Sequence, residues 1–267
     1  MTLQIFNPWI VCPSPRPQAK LRLFCFHYAG GGTLSFRGWS NHLSPTIEVC
    51  CIQLPGREQR LAAPPFTRLE PLLQALVPAI LPTLNHPFAF FGHSMGALIA
   101  FELARSLRHI NGIMPAHLFV SGYRAPQLPN PAPPIHTLPD AAFVDELRRL
   151  NGTPEAVLAN RELMELLLPT LRADFALIET YTHRDEPPLT CPITAFGGLS
   201  DPEVSQEELA AWQQQTQVSF SLQMFPGNHF FLHSAQSQML RSIENRLRLY
   251  NESNPSSSPN LGSSYLL

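Results

Sequence analysis

Several features that mark other classes of protein are missing from this chain of 267 residues. The formal net charge is −2, and no basic stripe is present that would neutralise phosphates. No apolar stretch approaches the length of a membrane helix, and the N-terminus lacks the continuous apolar region of a signal peptide. We therefore expect neither nucleic acid nor a membrane among the partners.

Cysteine is scarce, and its spacing excludes two further classes. The chain has five cysteines, an odd number, and two of them are adjacent, Cys50 and Cys51, inside a predicted strand. No C-x₂-C or similar metal spacing occurs, so we expect neither a disulfide framework nor a metal site. Free thiols are typical of a reducing compartment, which predicts a cytoplasmic protein.

The length and apolar content suit one α/β domain. Apolar residues make up 44 % of the chain, enough for a single core with an inserted cap. We expect this domain to occupy residues 1–250. The remaining residues, 251–267, are dominated by Ser, Pro and Asn and have little to bury, so we predict a disordered tail.

The most informative motif lies at residues 92–96, GHSMG, which fits the pattern G-x-S-x-G. A short aromatic run at 87–91 predicts a strand before it, and 97–105 predicts a helix after it. This order is typical of a nucleophile elbow, a tight turn that strains the backbone of Ser94 and lifts its hydroxyl clear of the sheet. The pentapeptide alone also occurs in plain turns, but the flanking elements favour the elbow.

An exposed serine needs a base to take its proton and a third group to orient that base. In this kind of fold the acid and then the histidine follow the serine along the chain. Asp201 follows a predicted strand at 191–197, and His229 lies in a loop after the last predicted strand, at 218–225. Both are therefore expected at the sheet edge where Ser94 emerges.

Each of these residues also has a structural interpretation. Asp201 alone could be a turn residue or the N-cap of a helix at 203–215. The chain has ten histidines, most of which must be surface or satisfied residues. His229 is favoured because it lies between a Gly-containing turn and an aromatic pair that could wall off water. His93 is expected to point away from the serine, so we do not assign it as the base.

A glycine-rich segment near the start supplies a fourth element. Residues 27–32, HYAGGG, follow a predicted strand at 21–26. Such a loop can turn a backbone N–H toward a reacting carbonyl, and a second N–H comes from the residue after the nucleophile, Met95. Spacing does not separate Ala29 from Tyr28 as the first donor. A phosphate loop is the alternative, but neither of the usual phosphate fingerprints is present.

These motifs resemble the discrete type II thioesterases that accompany nonribosomal peptide and polyketide synthetases, and the related chain-releasing thioesterase of animal fatty-acid synthesis. The resemblance implies an α/β-hydrolase fold, in which a mostly parallel central sheet is flanked by helices and carries an inserted helical lid. The matching motifs run in one order across about residues 18–250: HYAGG at 27–31, Phe36 with Trp39, LPGRE at 54–58, FFGHSMG at 90–96, GTP at 152–154, LRAD at 171–174, 198–201 and GNHFFL at 227–232.

The same resemblance implies roles for individual residues. Ser94 is the nucleophile, His229 the base and Asp201 the orienting acid, and the amides of Ala29 and Met95 form the oxyanion hole. The implied reaction releases acyl groups from the phosphopantetheine arm of carrier proteins through an acyl-serine intermediate, without a metal or soluble cofactor. The implied task is to clear stalled or wrong acyl groups from a synthetase. A general carboxylesterase or acyltransferase and an inactive carrier-binding module are the alternatives.

The middle of the chain is expected to hold the specificity elements. Residues 126–139 include six prolines and cannot form regular structure. Three helices are predicted after them, at 140–150, 154–168 and 170–183. The whole stretch between two core strands is too long for an ordinary loop, so we predict a helical lid at about 123–187.

Apolar lid residues could line an acyl channel or simply pack the lid onto the core, and for any single residue packing is favoured. The candidates are Phe143, Leu147, Leu150, Leu163, Leu166, Leu167, Phe175 and Ile178. Arg172 and Asp174 are expected to be structural. Arg57 and Glu58 have no evident chemical role and are expected to brace the loop after the second strand.

Overall fold

The computed structural model describes residues 7–130 and 132–253. Seven strands form one sheet in the order β1-β3-β2-β4-β5-β6-β7, and of these only β1 runs antiparallel to its neighbour. The strands are β1 (Ile10–Val11), β2 (Leu21–Phe26), β3 (Ile47–Ile52), β4 (Phe88–His93), β5 (His117–Ser121), β6 (Ile193–Gly198) and β7 (Phe220–Phe225). The mostly parallel sheet predicted from the sequence is therefore confirmed.

Eight α-helices of the described residues flank or extend this sheet. They are α1 (Leu69–Ile80), α2 (Met95–Asn111), α3 (Asp140–Leu150), α4 (Glu155–Leu158), α5 (Arg161–Glu179), α6 (Gln206–Ala210), α7 (Phe231–Ser234) and α8 (Gln236–Ser253). Among the described residues, none of these helices combines the length and the apolar character that crossing a bilayer requires.

The central strands are apolar on both sides because helices cover both faces of the sheet. One face packs Phe24, Phe90 and Val120 against α1 and α2. The opposite face packs Phe91 and Phe119 against α8 and the 3₁₀ turns before β3. This alternation along each strand fixes the register, so the carboxyl ends of β4, β6 and β7 meet at one edge.

The lid region departs from the prediction in one respect. The first predicted helix is observed as α3 with the same bounds, but the boundary predicted between the second and third helices is wrong. The chain instead breaks at Asn160, whose side-chain oxygen accepts from the Leu163 N–H at 3.1 Å and caps α5. That helix continues through Pro169, and its buried apolar face offsets the lost backbone hydrogen bond.

Two other boundaries differ from the sequence prediction. The helix predicted at 203–215 is shorter: α6 begins after Ser205, which forms a capping box with Glu208, and a 3₁₀ turn follows it. At the C-terminus, α8 extends to Ser253, into the first residues of the predicted tail at 251–267. The rest of that tail, 254–267, lies outside the described residues.

The segment between β5 and β6 has a small apolar core of its own. Phe143, Leu147, Leu158, Met164 and Leu171 form this cluster, whereas Leu177 near the end of α5 belongs to the main core. The insertion is thus packed internally and anchored at the sheet by one helix. This arrangement supports our interpretation of about 123–187 as a lid.

Candidate active site

Ser94 occupies the turn between β4 and α2, with φ 52° and ψ −120°. Such a conformation is rare for a residue with a side chain and is typical of a strained functional turn. The two flanking glycines are required by the geometry. A Cβ at Gly92 would overlap the carbonyl of Gly96, and a Cβ at Gly96 would overlap the carbonyl of Phe26. The Ser94 N–H donates to the Ser121 carbonyl of β5 at 2.7 Å, which anchors the turn.

His229 lies in the loop after β7, and its Nδ1 donates to Oδ2 of Asp201 at 2.9 Å. The Asp201 side chain is fully buried, and its other oxygen accepts from the Glu203 N–H at 2.9 Å. Asp201 therefore holds the imidazole in the tautomer that leaves Nε2 free to accept a proton. It does not cap a helix, because Ser205 caps α6.

Ser94 and His229 line one cavity of about 380 Å³ beneath the lid. Ala29 and Tyr28 from the glycine-rich loop line the same cavity. Three predicted site elements, the serine, the histidine and the loop, are thus brought together in space, with Asp201 bonded behind the histidine. Their chemical roles stay predictions at this point.

Half of the predicted channel residues line this cavity, namely Leu147, Leu150, Phe175 and Ile178. The others do not line it, which agrees with packing as the favoured alternative for any single residue. Phe143 and Leu167 pack inside the lid cluster, while Leu163 and Leu166 are 41 % and 52 % exposed. The sequence did not indicate which face of α5 turns inward, because both faces carry leucine.

Met95 is the first residue of α2, and its side chain is buried. The first N–H groups of a helix have no partner within it and carry partial positive charge, so they favour a developing anion. Ala29 belongs to the glycine-rich loop, which turns sharply at the next residue, Gly30, where φ is +74°. The Gly31 N–H closes this turn on the Tyr28 carbonyl at 2.9 Å.

A buried ion pair holds the glycine-rich loop in place. The guanidinium of Arg57 binds both carboxylate oxygens of Asp174, at 2.7 and 2.9 Å. Arg57 also donates to the Gly31 carbonyl at 3.0 Å, and Asp174 accepts from the Gly30 N–H at 2.8 Å. Because Asp174 belongs to α5, one carboxylate connects the lid directly to the loop that carries Ala29.

Glu58 holds the next part of the same loop. Its carboxylate accepts from the Thr33 hydroxyl at 2.8 Å, from the Leu34 N–H at 3.2 Å and from the Gln53 amide at 3.1 Å. Arg57 and Glu58 thus brace mainly the glycine-rich loop after the first predicted strand, and the Gln53 contact lies in the loop after the second, where bracing was predicted. The sequence did not identify the partner of Arg57, although Asp174, an aspartate on the apolar face of a lid helix, was a signal for it.

His93 packs against His229, a contact that the sequence did not indicate. The two imidazole rings are 5.2 Å apart, and Nδ1 of His93 pairs with the Ser121 hydroxyl at 2.9 Å. Complete burial lowers the pKa of His93 well below its usual range, so the ring is neutral. Gly122 makes room for both rings, since a Cβ there would lie 2.8 Å from His93 and 3.4 Å from His229.

Aromatic rings enclose the histidine on its other side. Phe230 lies 5.3 Å from the His229 ring and 5.1 Å from Tyr28, and it also lines the cavity. Its neighbour Phe231 is fully buried in the core instead. Only the first member of the predicted aromatic pair therefore faces the site. Gly152 of the lid packs on Phe230, where a Cβ would lie 2.7 Å from the ring.

Comparison with known proteins shows the family to which the chain belongs. The family described as Thioesterase domain matches residues 21–247. The gramicidin S biosynthesis protein GrsT of Aneurinibacillus migulanus is 50 % identical over 243 residues, which cover 91 % of this chain and 95 % of GrsT.

Two solved structures are similar over nearly their whole length. RedJ, a thioesterase from the prodiginine pathway of Streptomyces coelicolor, is 41 % identical with a TM-score of 0.82, covering 87 % of this chain and 92 % of RedJ. BorB, a type II thioesterase from the borrelidin biosynthetic cluster, is 38 % identical with a TM-score of 0.83, covering 91 % of this chain and 98 % of BorB. The chain belongs to the thioesterase family and has the α/β-hydrolase fold predicted from its motifs.

Proposed function

We propose that this protein is a type II thioesterase that removes acyl groups from the phosphopantetheine arm of carrier-protein domains. Its task is to clear stalled or wrong acyl groups from a nonribosomal peptide or polyketide synthetase. The similarity to BorB and to the gramicidin S protein GrsT supports this class of substrate. The proposal places the protein in the cytoplasm, where such carrier domains are supplied with their substrates.

Within this proposal Ser94 is the nucleophile. His229 takes the Ser94 proton through Nε2 as the hydroxyl attacks the thioester carbonyl, and Asp201 stabilises the imidazolium that forms. The oxyanion of the tetrahedral intermediate accepts hydrogen bonds from the Ala29 and Met95 amides. Collapse of the intermediate expels the pantetheine thiolate, which takes the proton from His229, and leaves an acyl-Ser94 ester.

Water completes the cycle. His229 removes a proton from a water molecule as its oxygen attacks the ester carbonyl, and the same two amides stabilise the second oxyanion. The proton then passes to Ser94 Oγ as the acid departs. The sequence of steps uses only side chains and amides of this chain, so it requires no metal or soluble cofactor.

The observation that carries the proposal is the arrangement around the cavity. A serine in a strained turn at the start of α2 lines the same space, under an apolar lid, as a histidine oriented by the fully buried side chain of Asp201. Fixed amide donors at a helix N-terminus contribute most when water is excluded, and losing one costs about 10²–10³ in rate. The lid residues supply that exclusion.

The carrier requirement is tested by presenting one short acyl group in two ways. We expect kcat/KM to be much higher for the acyl group on a phosphopantetheinylated carrier protein than on a free pantetheine thiol. Equal rates, or faster cleavage of the matching oxygen ester, would instead indicate a small-molecule hydrolase. A Ser94→Ala variant is the control in both arms, because any turnover that it retains does not come from the proposed site.

A chemical probe distinguishes the proposed enzyme from an inactive carrier-binding module. A fluorophosphonate forms a stable bond only with an activated serine, so we expect it to label Ser94 in the native protein. The His229→Ala variant should lose labelling while its circular dichroism stays that of the folded protein. A native protein that binds carrier but resists the probe would contradict the enzymatic proposal.

A further inference from the structure

The thiols of Cys12 and Cys50 face each other outside the candidate active site, with their sulfur atoms 3.1 Å apart. Both cysteines are free; Cys50 is buried and Cys12 is half-buried. The spacing of cysteines along the sequence gave no sign of this pair. Folding alone brings the two thiols into contact.

The backbone explains the contact. The edge strand β1 runs antiparallel to β3, with Ile10 opposite Ile52 and Val11 opposite Cys51, so the next pair in this register is Cys12 with Cys50. The Gln53 N–H donates to the Trp9 carbonyl at 2.8 Å, and hydrogen-bonded and non-hydrogen-bonded pairs alternate along such a ladder. Cys12 and Cys50 therefore form a non-hydrogen-bonded pair.

This type of pair is the one in which side chains approach most closely. Its Cα atoms are about 4.5 Å apart, which falls inside the range of about 4.4–6.8 Å that disulfides span. The edge strand is only two residues long, so only a short backbone segment must shift for the two sulfur atoms to move from contact distance to bonding distance. The geometry thus favours a cross-strand disulfide.

The two thiols differ in reactivity. The hydrogen bond between the two thiols lowers the pKa of Cys12, whereas the same bond and burial raise the pKa of Cys50. Cys12 is also the one that solvent reaches. Thiolate character and access together make Cys12 the first thiol to react with an external oxidant and Cys50 the resolving thiol.

A metal site at the same place is less well supported. Glu48 lies near both sulfurs, and the three ligand atoms fall within 4.8 Å of one another. However, its two oxygens already accept from the Arg16 N–H and from Arg22 Nε, each at 2.9 Å. Two thiols without a free carboxylate fall short of the four ligands that a structural zinc ion takes.

We propose that Cys12 and Cys50 form a reversible dithiol–disulfide pair that reacts with low-molecular-weight disulfides. The Cys12 thiolate attacks one sulfur of the external disulfide, forming a mixed disulfide and releasing one thiolate. The Cys50 thiol then loses its proton and attacks the Cys12 sulfur, which expels the second thiolate. Two protein thiols are oxidised, one external disulfide is reduced to two thiols, and the two protons pass to the leaving thiolates.

The bond would fasten the start of the described chain to the sheet. The guanidinium carbon of Arg60 lies 3.9 Å from the centre of the Trp9 ring in this segment. Arg60 also donates to the Gln53 carbonyl at 2.9 Å. Closing a loop from residue 12 to 50 restricts the unfolded chain, so oxidation should raise the midpoint of thermal unfolding. Reduction should return this midpoint to its original value.

The test uses the full chain equilibrated with glutathione disulfide, then alkylated and digested with trypsin. Trypsin leaves Cys12 in peptide 1–20, since the bond before Pro17 resists cleavage, and Cys50 in peptide 38–57. We expect these two peptides to appear linked, the intact protein to lose two hydrogens, and reductant to reverse both changes. Cys12→Ser, at a half-buried site, should abolish the link while the protein stays folded.

Peptide 38–57 also contains Cys51, so a control variant decides which cysteine takes part. In Cys51→Ala the link should persist, and fragment ions of the native protein should place it on Cys50. Cys191 reports non-specific oxidation, because it is buried elsewhere in the core and should remain alkylatable after unfolding. A glutathione adduct on Cys12 with no linked peptide, or a link that disappears in Cys51→Ala, would overturn the proposal.

Discussion

Arg57 and Asp174, 117 residues apart in the chain, form a two-pronged buried ion pair that joins the lid helix α5 to the loop carrying Ala29. The same carboxylate accepts from the Gly30 N–H, and the same guanidinium binds the Gly31 carbonyl. The position of Ala29, the proposed oxyanion donor, therefore depends on contacts made by the lid. This coupling leads to the first prediction.

Asp174→Ala should destabilise the protein strongly, because it leaves the Arg57 charge buried without a partner. The expected loss is about 3–5 kcal/mol in the free energy of unfolding. The double variant Arg57→Met with Asp174→Leu removes both charges and should recover most of that loss. Its kcat should nevertheless stay lower by about 10²-fold, since the Ala29 loop is no longer held in place. Denaturant unfolding and steady-state kinetics measure the two effects separately, and full activity in the double variant would contradict a positioning role.

Gly122→Ala should lower kcat by about 10- to 10²-fold, because a Cβ there pushes on His93 and His229. The matched control is Gly112→Ala. Gly112 has a similar positive φ, +65° against +58°, but its Cβ would meet nothing within 4 Å. Both variants add backbone strain of about 1 kcal/mol, so a shared loss of thermal stability is expected. Equal kcat values in the two variants would show that the space beside the histidines does not matter.

Phe175→Ala should change acyl selectivity, because the Phe175 side chain lines the cavity beneath the lid. We expect kcat/KM for medium-chain acyl thioesters to fall by about tenfold or more relative to acetyl thioesters. Leu166→Ala on the same helix is the control, since Leu166 is 52 % exposed and should alter rates by no more than about twofold. A uniform loss across all chain lengths would argue that Phe175 only packs the lid.

The stability of the protein should fall in mild acid because of buried histidines. Burial lowers the pKa of His117 to about 3, with a smaller contribution from Arg246. In the unfolded chain that pKa returns to about 6.5. Between these values the unfolded state binds a proton that the folded state does not, so the free energy of unfolding decreases as the pH falls. One such group contributes about 2 kcal/mol of this decrease between pH 7 and pH 5.

The His117→Gln variant should therefore show a smaller difference between its unfolding free energies at pH 7 and pH 5 than the native protein. Urea unfolding at the two pH values measures this difference. His42→Gln serves as the control because His42 is exposed. If His117→Gln keeps the full native difference, another group must be responsible for the acid sensitivity.

The sequence was most informative where local physics decides the structure. The strand before Ser94 was predicted because a strand buried on both sides is apolar at every position, and the edge strand before His229 was predicted from the alternation of apolar and polar residues. The order serine, acid, histidine is typical of this kind of fold, and the shared sheet edge was the reason to expect the three residues close together. The bounds of α3 were also predicted, since Pro139 and the charged residues near Asn151 mark its ends.

The sequence was least informative where distant segments meet. Pro169 suggested a helix break, but Asn160 and the packing of α5 moved that break by about two turns. Nothing local to Arg57 names Asp174 as its partner, and nothing local to Cys12 names Cys50. Such pairs depend on the register of strands and on how the lid lies over the sheet, which only the folded chain determines.

The most direct test of the central claim is to trap the acyl-enzyme in a single turnover with an acyl-loaded carrier protein. Rapid acid quench and trypsin digestion yield peptide 69–105, which contains Ser94. We predict that this peptide gains the mass of the acyl group at Ser94, that the adduct decays at the rate of acid release, and that neither adduct nor turnover occurs in Ser94→Ala. Acid release without any adduct on this peptide, or undiminished release by Ser94→Ala, would contradict the account.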